Sequence, residues 1–238
     1  PAEADLVRFT TRPVVLPRGA LTTTCDLAVR QEGDTFVGLG QRVELSPTDF
    51  LAVRLVPATA FFSDRSGYAE SEFGARVRVT EGVAETVLGI DLGVTSGVGG
   101  LLAPSAAVAV HANETFRFDA ALHPTFLYHG RVSAHLDRLD VGIHREGFLS
   151  LDFWFALRRE VSMALWTTFG ADNPLAVKST GFVGLGMSLL GTIPLRGRPF
   201  VDLRLDAGHP GWHQFEDAIP VFTAFQAKGA VSVHGDLF

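Results

Sequence analysis

Apolar and polar residues alternate one by one along most of the chain. In FLSLDFWFALRREVSMALWTTF, residues 148–169, Leu149, Leu151, Phe153, Phe155 and Leu157 fall on one side, and Ser150, Asp152, Trp154, Ala156 and Arg158 on the other. After the corner Arg158-Arg159-Glu160, Val161, Met163, Leu165, Thr167 and Phe169 oppose Ser162, Ala164, Trp166 and Thr168. A period of two is the pattern of a β-strand, and the charged corner between two such runs makes a hairpin. The same alternation returns from about residue 18 to the end: Val37, Leu39, Val43 and Leu45; Leu51, Val53 and Leu55; Phe73, Ala75, Val77 and Val79; Leu88, Ile90, Leu92 and Val94; Phe116, Phe118, Ala120 and Leu122; Val183, Leu185, Met187 and Leu189; Val201, Leu203 and Leu205. No helical periodicity of similar length competes with it. The uncharged stretch from Leu92 to Val110 has the length of a membrane helix, but its glycines, Pro104 and β-branched residues read as strand, loop, strand. The chain is therefore expected to be all-β, with about 12 strands in a range of roughly 10–14.

Corners at 46–49, 81–85, 111–114, 158–160 and 194–199 are tight, and longer connections are expected near 59–70, 95–105, 170–178 and 206–218. An antiparallel up-and-down barrel with short turns at one end and loops at the other has this rhythm. Residues 1–17, with Pro13 and Pro17, read as an entry arm, and 18–238 as a single barrel domain.

Alternation leaves open which side of the wall is wet; the chemistry of the polar side decides it. Only 19% of residues are charged against 47% hydrophobic, and the mean hydropathy is +0.23. Of 20 basic residues only Lys178 and Lys228 are lysines, whereas a soluble surface carries many. The polar side instead holds Gly, Ala, Ser and Thr interspersed with Arg and Asp, which suits an enclosed space. The oily side is nearly free of charge, as hydrocarbon demands, and strand runs of about 9–11 residues match a tilted crossing of a bilayer. The facing predicted is transmembrane: oily side to lipid, ionic side inward. A net charge of −6 without a clustered basic face argues against nucleic acid.

The repeated alternation, the rhythm of short turns and long loops, and the ending GAVSVHGDLF with Phe238 last resemble the bacterial, Gram-negative outer-membrane β-barrel proteins, porin-like in the broad sense. The resemblance spans nearly the whole chain. It implies residence in outer-membrane lipid, insertion by the barrel-assembly machinery with Phe238 as part of the assembly signal, and envelope proteins as further partners.

On this facing Leu149, Leu151, Phe153, Phe155, Leu157, Val183, Leu185 and Leu203 meet lipid. Arg42, Arg54, Arg76, Arg78, Arg117 and Arg204 meet Glu44, Glu72, Asp91, Asp119, Asp152, Asp202 and Asp206 inside. Two readings of these charges stand side by side: a water-filled path that selects solutes, or a ladder of ion pairs that fixes strand register and fills the interior. Strand number separates them, because about 8 strands leave a plugged interior and 12 or more allow a passage.

Eight histidines raise catalysis as an alternative. His135 with Asp137, and Ser232 with His234 and Asp236, share a strand side, yet spacing assembles no Ser–His–acid set, so no enzyme is expected. His209 and His213 sit in a Gly-, Pro- and Trp-containing loop and predict no metal. The two VGLG segments, 37–40 and 183–186, lack a nucleotide-loop context and imply no cofactor. Cys25 falls on the oily side as a small apolar filler. Trp154 and Trp166 fall on the polar side. The function expected is passive passage of small hydrophilic solutes, or a structural barrel in an envelope assembly. The alternatives are a soluble barrel or sandwich binding an apolar ligand on the same oily face, and an outer-membrane barrel hydrolase.

Overall fold

A computed structural model describes residues 5–32, 34–63, 67–95, 99–122, 126–128, 149–171, 181–196, 199–213 and 225–237. Twelve strands build the wall: β1 (Ala20–Glu32), β2 (Asp34–Thr48), β3 (Leu51–Ser63), β4 (Gly67–Thr80), β5 (Ala84–Thr95), β6 (Gly99–His111), β7 (Phe116–Leu122, resuming as Phe126–Tyr128), β8 (Leu149–Arg158), β9 (Val161–Ala171), β10 (Gly181–Pro194), β11 (Phe200–His213) and β12 (Phe225–Asp236). The two pieces of β7 both pair with β6, Ala106–His111 against the first and Gly100–Leu102 against the second, so they form one interrupted strand. Each strand is antiparallel to its neighbours in the chain, and β1 closes the ring on β12 from Ala20↔Asp236 to Gln31↔Phe225. Closure leaves the sheet without an edge, so every ladder can be satisfied without water.

Short turns and both ends of the ring lie together at one end. Asn113 makes one of these turns by accepting the N–H groups of Thr115 and Phe116 at 2.8 and 2.9 Å, the local side-chain bonding that favours Asn in turns. Gly82 makes another with φ +114°, a backbone region nearly closed to residues with a Cβ. At the other end, where long connections are expected near 59–70 and 95–105, residues 59–63, 67–70, 95 and 99–105 are strand. The ladders run on to Phe62↔Gly67 and Thr95↔Gly99. For 59–70 the reason is a register shift between Val56 and Thr59, which breaks the alternation without ending the strand.

The oily side faces out. Leu205 is 62% exposed, Val94 64% and Phe73 55%, all without a protein layer over them. Leu149, Leu151 and Val183 are half-buried on the same outward parity, and Phe153, Phe155, Leu157, Leu185 and Leu203 are exposed. Outward aromatic pairs bind neighbouring strands, Phe116 to Phe155 with centroids 5.3 Å apart and Phe118 to Phe153 at 5.2 Å. The ionic side faces in: Asp152 is 2% exposed, Lys228 4% and Arg117 5%. A soluble barrel on the same pattern would need the Leu and Phe rows packed against one another in its centre, and they point the opposite way.

Candidate functional site: the lumen and its N-terminal arm

Period-two geometry aims alternate side chains of all twelve strands into one enclosed space, and the residues expected to line it gather there. Arg42, Glu44, Arg54, Arg76, Asp91, Arg117, Asp119, Asp152, Asp202 and Arg204 surround a central cavity of about 340 Å³, while Glu72 and Asp206 are buried in the wall around it. At roughly 30 Å³ per water, that space holds about 10 waters. Strands β6 and β7 contribute a wall of small side chains, Ala103, Ser105, Ala107, Ala109 and Ala121, which leaves room beside the arginines.

Most of these charges meet opposite charges. Arg54 is clasped by Asp91, with Nε 3.1 Å from Oδ1, and stands 3.8 Å from Glu72. Arg76 lies 3.6 Å from Glu44, and Arg78 lies 3.8 Å from Glu85 and 3.6 Å from Glu81. Arg117 donates to Asp119 at 2.6 Å and Arg204 to Asp206 at 2.9 Å, while Asp206 also accepts from the Ser188 hydroxyl. Arg42 lines the same cavity as Arg54, Arg76 and Glu44. Pairing of this kind makes each charge expensive to delete, because its partner would remain uncompensated.

The lumen is also occupied by the protein's own N-terminal arm, residues 5–18, which enters from the short-turn end. A single 3-10 turn at Phe9–Thr11 places the Phe9 ring against Trp154, centroids 4.5 Å apart, and beneath the Arg117 guanidinium at 4.7 Å. Arg12, 5% exposed, forms a fork with Asp202 at 2.5 and 3.2 Å and reaches Thr192 at 3.1 Å. Arg117 donates to the carbonyls of Phe9 and Arg12 at 3.3 and 2.7 Å. The Glu85 carboxylate accepts the backbone N–H groups of Val14 and Val15 at 2.8 and 3.3 Å. His111 donates from Nδ1 to the Thr10 carbonyl at 2.8 Å. Nearer the mouth Arg8 pairs with Glu114, and Arg159 with Asp5 at 3.1 Å.

Asp202 is shared between the arm and the wall. His234 Nε2 hydrogen-bonds to it at 3.0 Å, and its Nδ1 lies 2.9 Å from the Thr22 hydroxyl. Phe200 stacks on His234 at 4.1 Å and lies 4.5 Å beneath Arg12. The strand-side grouping of Ser232, His234 and Asp236 is therefore not assembled: Ser232 pairs with Thr24 at 2.9 Å, and Asp236 is exposed. Trp154, 1% exposed, keeps an unpartnered indole N–H among the described residues and lies 5.1 Å from the Arg204 guanidinium. His135, Asp137 and Phe238 lie outside the described residues. Asp26, Lys228 and Trp166 also point inward, as their parity in the sequence allows. Arg12, Glu85, His111 and Thr192 carried no such signal, because their partners lie on distant strands.

No family model matches the chain, and no curated protein matches it in sequence. The fold is that of outer-membrane porins. An outer-membrane channel from Pseudomonas putida F1, described as COG4313, superposes with TM-score 0.59 at 11% identity, over 92% of this chain and 97% of the channel. The KdgM porin superposes with TM-score 0.54 at 9% identity, over 88% and 97% of the two chains. The NanC porin gives TM-score 0.54 at 11% identity, over 88% and 98%.

Proposed function

We propose that the protein is a passive channel for small hydrophilic solutes, resident in the outer membrane of a Gram-negative bacterium. The observation that carries this reading is the cavity: ionic side chains, interspersed with small and apolar ones, surround an interior space from around the closed ring, while leucine, valine and phenylalanine cover the outside. Apolar surface outside and charge inside is stable only when hydrocarbon bathes the wall and water fills the interior. The likeness in fold to porins supports the same environment, with outer-membrane lipid as the partner of the exterior and the barrel-assembly machinery as the route of insertion.

No catalytic role belongs to this proposal, and no solute is assigned by it. A second reading, a structural barrel in an envelope assembly, is favoured by the arm and the matched ion pairs that fill much of the lumen. Conductance of the purified protein in a planar bilayer separates the two. Discrete open steps support the channel. A heat-modifiable, inserted barrel that stays silent gives the structural role instead.

A further inference from the structure

We infer that the N-terminal arm is the constriction of the pore, a removable floor seated by the Arg12–Asp202 fork; this rests on the channel reading above. Phe9, Arg12, Pro13, Val14 and Leu16 form one side of the central cavity, so the arm bounds the space available to a solute at the short-turn end. Its partners there are the start of β5 (Glu85), the end of β6 (His111), the end of β10 (Thr192) and the start of β11 (Asp202). The arm thus spans the mouth of the ring rather than lying along one strand.

The arm adds no strand to the wall. Pro13 and Pro17 have no N–H to give a ladder. Among the described residues, its backbone joins the barrel backbone only at its root, where Gly19 N–H donates to the Ser46 carbonyl at 2.7 Å and Leu237 N–H donates to the Gly19 carbonyl at 2.9 Å. Gly19 has φ +87°, the left-handed conformation in which glycine turns the chain sharply. Beyond that root the attachments to the wall run through side chains, so the arm can leave without breaking a β-ladder. The charges it would release, Asp202, Glu85 and Arg117, stand beside the lumen and would be taken up by water rather than stranded in hydrocarbon. Twelve strands exceed the eight whose side chains alone fill the interior, and among the described residues the arm is the segment that crosses the lumen.

The test is single-channel conductance in planar bilayers for the full chain, for Arg12→Glu, for Asp202→Arg, for the double exchange, and for a chain lacking residues 5–16, which leaves every strand intact. Heat-modifiable migration on gels confirms folding of each. We expect the deletion and Arg12→Glu to raise unit conductance about two- to fivefold, since they reopen a lumen set by strand number. Asp202→Arg should do the same, and the double exchange should return conductance toward the parent value by rebuilding the fork with its charges reversed. If Asp202→Arg fails to fold, Arg12→Glu and the deletion decide alone. A conducting parent whose conductance is unchanged by the deletion overturns the constriction. An opened deletion with Arg12→Glu at the parent value removes Arg12 as the seat. Silence of every inserted form, the deletion included, is a different result: it defeats the channel reading and the constriction with it.

Discussion

Placing an arginine at successive outward positions of β10 should trace the bilayer. Val183, Leu185, Met187, Leu189 and Ile193 share the outward side of this strand, and Leu185, Met187, Leu189 and Ile193 are between 44 and 51% exposed. Ten residue steps separate Val183 from Ile193, about 34 Å along the strand at the antiparallel rise of roughly 3.4 Å. With a strand tilt near 40° this is about 26 Å along the membrane normal, close to the roughly 25 Å height of an outer-membrane apolar band. Met187 and Leu189 then lie within about 3 Å of the midplane and the two end positions about 13 Å from it. Arginine on the lipid face costs about 2–4 kcal/mol at the midplane and about 0–1 near the interfaces. Met187→Arg and Leu189→Arg should therefore lose roughly 3 kcal/mol, a hundredfold or more in the folding constant, while Val183→Arg and Ile193→Arg lose about 1 or less. Reversible urea titration of the barrel in phospholipid vesicles, followed by the fluorescence of Trp154 and Trp166, measures each value. A flat profile along the strand, or one that peaks at its ends, would refute the facing and the depth assigned to β10.

Inside the wall, a Cβ at Gly186 would overlap the Trp166 ring and stand 2.6 Å from the Ala207 carbonyl, so Gly186→Ala should cost about 1–3 kcal/mol in the same titration. In the Trp166→Leu background the added cost of Gly186→Ala should be smaller, leaving the part due to the Ala207 carbonyl; an unchanged cost would mean that the ring is not what the methyl meets. Cys25 is exposed on the outward side of β1, so in vesicles it should resist a charged methanethiosulfonate that labels Ser232→Cys in the lumen, and rapid labelling of Cys25 in the folded barrel would place β1 the other way round. At the short-turn mouth, the hydrogen bond and charge of Arg159 hold the Asp5 carboxyl below its ordinary value of 3.8. A lowered folded-state value means that this clasp contributes above pH 3.8 and is lost as pH falls through the depressed value. Nuclear magnetic resonance titration of Asp5 should show its midpoint rising back after Arg159→Gln, and an unmoved midpoint would deny the pairing.

By itself the order of residues determined the wall. Strand alternation is a local property, set by the pleat, and it assigned Leu151, Phe153 and Leu185 to one side and Asp152, Trp154 and Trp166 to the other. The scarcity of lysine and the small residues on the polar side then showed which side could tolerate hydrocarbon. Alternation misled where a register shift intervened, at 56–59, where Gly99 and Gly100 imitated a loop inside a ladder, and at 206–213, read as a loop holding His209 and His213 but in fact the end of strand β11.

Tertiary structure alone decided what occupies the lumen. Arg12 lies just before Pro13 in an arm with no periodicity to read, and its partner Asp202 stands 190 positions away. Glu85 looks like one more corner residue until β5 brings it beneath the N–H groups of Val14 and Val15. A closed ring makes such meetings unpredictable from spacing, because twelve inward faces converge on one axis and any buried carboxylate near the mouth could have received the arm. The choice of Asp202 depends on shear, tilt and the depth of each strand, which the period of two does not encode.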